Sequence, residues 1–97
     1  MLKYYNKHTK TILIPFDFND ELKDIPEDTE IIIFNVCSYN DHYSQFDQEI
    51  KENVLPKSLH TLKFGDYFNQ EIREKVLPTS LYILSFSSFF NKEIREN

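Results

Sequence analysis

The stretch VLPKSLHTLKFGDYFNQEIREK (residues 54–75) is followed directly by VLPTSLYILSFSSFFNKEIREN (residues 76–97). The offset is 22 residues: Pro56 maps to Pro78, Leu62 to Leu84, Phe64 to Phe86, Phe68 to Phe90, Asn69 to Asn91 and Ile72 to Ile94. A fixed period of this length marks a solenoid, in which each unit buries its apolar face against its neighbours. The pattern extends backward in weaker form. FDQEIKEN (46–53) matches FNQEIREK (68–75), and IPEDTEIIIF (25–34) matches LPKSLHTLKF (55–64). FNDELKD (18–24) echoes the Phe-Asn element once more, and Ile12, Ile14 and Phe18 fall where Leu84, Phe86 and Phe90 fall. The chain therefore divides into an amino-terminal extension (1–10) and one repeat domain (11–97). The domain holds about four units: a partial one (11–24), one with an insertion (25–53) and two regular ones (54–75 and 76–97).

Within a unit, Leu62 and Phe64 alternate to one face, as in a short strand. The copies are Ile12/Ile14, Ile32/Phe34 and Leu84/Phe86. One strand per unit predicts a parallel sheet with little helix. Pro56 and Pro78 precede the strand, where a missing N–H costs nothing and a fixed φ shapes the turn. Ser58 and Ser80 are expected to bond local backbone in that turn, and Gly65 to supply a bend with positive φ. Phe18, Phe46, Phe68 and Phe90 should stack as an internal ladder beside Leu22, Ile50, Ile72 and Ile94, each ring contributing about 2–3 kcal/mol by buried area. Asn19, Asn69 and Asn91 should form a polar ladder whose amides bond the turns. Asp47 lacks the amide donors, so its rung is expected to be looser or more exposed.

The residues Leu-Pro-x-Ser-Leu-x-x-Leu-x-Phe-Gly-x-x-Phe-Asn-Gln-x-Ile resemble the FNIP repeat, a relative of the leucine-rich repeat found in social amoebae and in giant DNA viruses of amoebae. The resemblance is close over residues 46–97 and weaker over 11–34. Glu71 and Glu93 stand where the family often has Pro. The resemblance implies a short right-handed, leucine-rich-repeat-like solenoid acting as a non-catalytic protein-interaction module. Many family members carry an amino-terminal F-box that docks a ubiquitin ligase; no amphipathic helical run precedes Thr11 here. A substrate-recognition piece of a ligase without its own F-box, and a self-associating structural unit, are the alternative roles.

Composition narrows the classes. The 97 residues carry a net charge of −5 with both signs interspersed, against the basic stripe a nucleic-acid partner requires. The longest apolar run, Ile31–Phe34, is too short to span a membrane, and the five apolar residues after Lys10 are too few for a signal-peptide core. A lone cysteine, Cys37, excludes an internal disulfide and fits a reducing compartment, the cytoplasm, or host cytoplasm for a viral chain. Cys37, Asp41 and His42 lack paired metal-ligand spacing, and Cys37 with His42 lacks a third catalytic group. A single glycine leaves no phosphate-cradling loop. No catalytic residue, metal or cofactor is expected.

Positions between the core residues of each strand should line the concave face: Ile31, Ile33, Thr61, Lys63, Ile83 and Ser85, with His60 and Tyr82 at the strand start. That face is a solenoid's usual partner surface. The insertion lies within NVCSYNDHYSQ (35–45), since Phe34 to Phe46 spans twelve positions where Phe64 to Phe68 spans four. Its Tyr39, His42 and Tyr43 have the chemistry of adaptable binding loops. The carboxyl-terminal unit shows no atypical polar cap, so Leu81, Leu84, Phe86 and Phe90 are expected to line an open end able to receive a second copy.

Overall fold

Repetition at 22 residues places like residues side by side, and the computed structural model, which describes residues 1–34, 43–87, 90 and 92, shows how they pair. Strands β1 (Tyr5–Asn6), β2 (Thr11–Ile14), β3 (Ile31–Phe34), β4 (Thr61–Lys63) and β5 (Ile83–Ser85) form one sheet in chain order. The last four are parallel, one per unit, and the registers follow the repeat: Ile12 beside Ile32, Ile32 beside Leu62, Leu62 beside Leu84. The fold is leucine-rich-repeat-like. Among the described residues the only helical element is a 3-10 turn, Leu2–Tyr4.

Alternation decides which side is core. Ile12, Ile32 and Leu62 are fully buried on the inner face, and Leu22, Ile50 and Ile72 close the layer opposite them. Between the two lies a double aromatic column. Phe18, Phe46, Phe68 and Phe90 follow one another at 6.1, 5.8 and 5.9 Å between ring centroids. The strand residues Phe34, Phe64 and Phe86 form a second column at 5.4 and 5.2 Å. The columns are cross-linked within the three later units at 4.4, 3.9 and 4.0 Å. Ile94, expected beside this layer, lies outside the described residues.

The first ten residues have no repeat pattern, yet they are ordered into a cap. β1 pairs antiparallel with β2, Tyr5 opposite Ile12. The Tyr4 ring meets Phe18 edge-on at 6.2 Å, ending the aromatic column. Tyr5 donates its hydroxyl proton to Asp28 Oδ1 at 2.6 Å. That bond to a carboxylate, with smaller effects of burial and of the charges on Asp28 and Glu30, pushes the phenol up to about 12.

Turns at the two ends of the strand recur. Thr29, Leu59 and Leu81 donate backbone N–H groups to the carbonyls of Pro26, Pro56 and Pro78, each at 3.1 Å. After the strand, Phe18, Phe68 and Phe90 donate to Pro15, Gly65 and Ser87 at 3.1, 3.4 and 3.2 Å. Proline, glycine and serine thus occupy one position, and Gly65 does not have positive φ. The expected left-handed bend is absent there. Gly65 is required for space: a Cβ at this position would overlap Ser44 Cβ and lie 2.8 Å from Ser44 Oγ. The left-handed residues are Asp24, Asn53 and Lys75, at φ 56°, 66° and 65°, where the chain passes between units, and Lys10 before β2.

Two polar ladders differ from the local bonding expected of them. Ser58 donates to the carbonyl of Thr29 and Ser80 to that of Leu59, both at 2.6 Å, so each serine ties its turn to the preceding unit. In the Asn column the working atom is Oδ1, an acceptor. Asn19 Oδ1 accepts from Asp47 N at 2.9 Å and Gln48 Nε2 at 3.0 Å. Asp47 Oδ1 accepts from Asn69 N and Gln70 Nε2, both at 2.9 Å. Asp47 makes a rung as tight as asparagine's because these bonds do not use the amide donors. Glutamines 48 and 70 are members of the ladder that the sequence pattern did not single out. Exposed ion pairs, Lys51–Glu21 at 3.3 Å and Arg73–Glu49 at 3.2 Å, add about 1 kcal/mol at most each.

Two outcomes follow, both measured by urea unfolding. Gly65→Ala should lose about 1–3 kcal/mol through overpacking, and adding Ser44→Gly should restore most of it. A loss that Ser44→Gly leaves unchanged would show that the cost lies elsewhere. Asp47→Asn should change stability by less than about 0.5 kcal/mol while Asp47→Ala costs about 1–2 kcal/mol; equal losses would rule out the acceptor-only ladder.

Candidate functional site

Strand residues that do not enter the core point to the opposite, open face of the sheet, in three rows. The first comprises Lys10, Glu30, His60 and Tyr82, each immediately before its strand. The carbonyls of Lys10, Glu30 and His60 each accept two N–H groups from the next unit, at 2.9–3.2 Å. This shared backbone geometry aligns the side chains above it. Glu30 meets Lys10 Nζ at 3.8 Å and His60 Nε2 at 3.6 Å, and the His60 ring stacks on Tyr82 at 5.0 Å.

In the second row Thr11, Ile31, Thr61 and Ile83 are in register; in the third, Leu13, Ile33, Lys63 and Ser85. These rows carry exposed apolar side chains: Leu13 is 52 % exposed, Tyr82 72 % and Ile83 41 %. Lys63 is exposed between Ile33 and Ser85, with no ion-pair partner among the described residues. Such a face offers hydrophobic contact and, among the described residues, one cation without an ion-pair partner.

The structure places Lys63, Ile83 and Ser85 on this face, between the inward strand residues, with His60 and Tyr82 just before the strands. Thr61 is the exception. It lies in the same row but is only 6 % exposed, in register between Ile31 and Ile83, with its hydroxyl 2.8 Å from His60 Nδ1. It orients the imidazole and presents little surface of its own. Leu13 was missed. It occupies the outward position of the weakest repeat copy, and extending the strand alternation one unit further would have found it.

Of the insertion residues, Tyr39 and His42 lie outside the described residues. Tyr43 is exposed, but away from the open face. With Asp47, Asp66, Tyr67 and Asn69 it lines a groove of about 550 Å³ formed by the segments that follow β3 and β4. Tyr67, 58 % exposed, was also missed; it adjoins the buried Phe68 and has no place in the core pattern.

At the carboxyl-terminal unit, Leu81, Leu84, Phe86 and Phe90 are half-buried. Their counterparts Leu59, Leu62, Phe64 and Phe68 are 0, 0, 7 and 1 % exposed. The difference is the cover that a following unit provides. No group of three His, Cys, Asp or Glu side chains among the described residues could hold a metal ion. No helix among them is long and apolar enough to cross a membrane.

Comparison with known proteins agrees with this architecture. Residues 46–89 match the family model of the FNIP Repeat. Among solved structures the chain is similar to CroV588 of a giant virus, a protein with a novel circular leucine-rich-repeat structure, at 39 % identity and a TM-score of 0.70. The match covers 88 % of this chain but 12 % of CroV588, so the chain spans a small part of that protein's length. A search of curated proteins finds no match.

Proposed function

We propose that the chain, whose residues 46–89 match the FNIP Repeat, is a non-catalytic module that binds a protein partner on the open face of its sheet. The observation that carries this reading is the presence of exposed Leu13, Lys63, Tyr82 and Ile83 on one face of the sheet, with relative positions set by the strand register. Exposed aromatic and aliphatic anchors beside a charged group are the usual make-up of a recognition patch. Rigid strands hold them in place, so little conformational entropy is lost on binding. The working compartment in this reading is the cytoplasm. Substrate recognition for a ubiquitin ligase is a narrower form of the same reading, and adaptor and cullin subunits among captured proteins would be its signature.

The test is affinity capture from lysate of the source cell, followed by mass spectrometry. A Tyr82→Glu/Ile83→Glu variant should recover about tenfold less of the partner than the unaltered chain. A variant lacking residues 38–43 should recover it undiminished. Equal recovery by the double variant would move the site off the open face, and a partner lost only with the deletion would move it to the insertion.

A second reading, self-association, is favoured by the half-buried Leu81, Leu84, Phe86 and Phe90. A second copy covering this surface would continue the aromatic columns through a two-fold interface. Sedimentation should then show a mass rising with concentration, and Phe86→Asp should return it to monomer with its circular dichroism retained. A monomer at all concentrations would remove this reading.

A further inference from the structure

We propose that the groove formed by Tyr43, Asp47, Asp66, Tyr67 and Asn69 is a second binding site, taking an arginine or lysine side chain from an extended segment of a partner protein. It goes beyond the open-face reading, since none of the three strand rows contributes to it. Three observations converge. The groove measures about 550 Å³, which suits a long side chain with its flanking backbone. Its walls include two exposed tyrosines, 43 % and 58 % accessible, in a fold that otherwise stacks most of its aromatic rings on one another. Exposed tyrosine faces attract cations through the ring quadrupole.

Charge selects the occupant. Asp47 and Asp66 both line the groove, and neither has an ion-pair partner among the described residues. Three carboxylates elsewhere have ion-pair partners, Glu21 in Lys51, Glu49 in Arg73 and Glu30 in Lys10; what sets Asp47 and Asp66 apart is that they line a groove with two exposed tyrosines. No basic side chain lines the groove among those described. Asp47 is also fixed in place, because its Oδ1 accepts the Asn69 N–H and the Gln70 amide. A guanidinium or ammonium entering between the tyrosines would find a carboxylate already oriented by the ladder. The chain's net charge of −5 draws a basic segment toward it.

The test is a titration of the isotope-labelled chain, followed by amide NMR shifts. The probe is the blocked peptide acetyl-Gly-Arg-Gly-Arg-Gly-amide, beside its lysine and glutamate counterparts. The arginine and lysine peptides should move the amides of Tyr43, Asp47, Asp66, Tyr67 and Asn69 saturably, and the glutamate peptide should not. Asp47→Asn with Asp66→Asn should weaken binding roughly threefold to tenfold while keeping the ladder, and Tyr67→Ala should do the same. No saturable shift up to about 10 mM peptide overturns the proposal, being weaker than any specific site. So do shifts confined to other residues, an equal response to the glutamate peptide, or an unchanged affinity in the two variants. Binding seen only in a chain lacking residues 36–41 also overturns it, since the groove then belongs to the protein's own segment. The open-face reading is untouched by any of these results, because Tyr82 and Ile83 are outside the groove.

Discussion

Stacking of phenylalanine rings from unit to unit is the constraint on which the rest of the molecule depends. Parallel strands lie about 4.8 Å apart, and the two aromatic columns repeat at 5.2–6.1 Å. A ring thus meets the next near van der Waals separation whenever successive strands pair in register. In the three later units each ring also touches its neighbour in the other column, so a unit is fixed by its own pair and by the adjoining pairs. The insertion shows the strength of the requirement. Phe34 and Phe46 are twelve positions apart in sequence, yet their rings close to 4.4 Å, against 3.9 Å for the uninterrupted Phe64 and Phe68. Added chain length between two stacked positions costs little.

Once the rings set the spacing, polar groups follow it. Ser58 and Ser80 reach the carbonyls of the preceding unit, and the Oδ1 atoms of Asn19 and Asp47 receive two donors from the following one. Turns that cannot form a continuous sheet thereby satisfy their backbone groups across the repeat interface. Cohesion in this fold is between units more than within them. That explains why Asp47 can replace asparagine: the position is selected for an acceptor pointing along the solenoid. The amino-terminal segment ends the columns by a different device, an antiparallel strand and the edge of Tyr4, which needs no repeat signature.

The same regularity assigns the surfaces. Side chains on the open face are held in rows by strand register, so that Lys63, Tyr82 and Ile83 have fixed relative positions. The groove with Tyr43 and Tyr67 lies where the strands end and the chain turns toward the Phe-Asn element. There Gly65, Ser44, Phe68 and the ladder atoms are claimed by the packing, and Tyr43, Asp66 and Tyr67 are left to the surface. Recognition residues on a scaffold of this kind are the positions that the stacking does not claim.

The sequence by itself determined the period, the four strands, their parallel order and the inward residues, since a side chain's face follows from alternation and a unit's neighbours from repetition. It also identified Lys63, Ile83 and Ser85 as outward and placed His60 and Tyr82 at the strand starts. What only the tertiary structure decided was what each residue meets one unit away. Gly65 reads as a bend in sequence, but it is small because Ser44 abuts it. The serines and Asp47 read as local groups, but their partners are 21 to 31 residues distant. Thr61 alternates outward and is nonetheless covered. Tyr43 and Tyr67, 24 positions apart, share a groove only because β3 and β4 lie side by side. Periodicity records direction and spacing along the chain; contacts between units depend on shapes that meet only after the units have stacked.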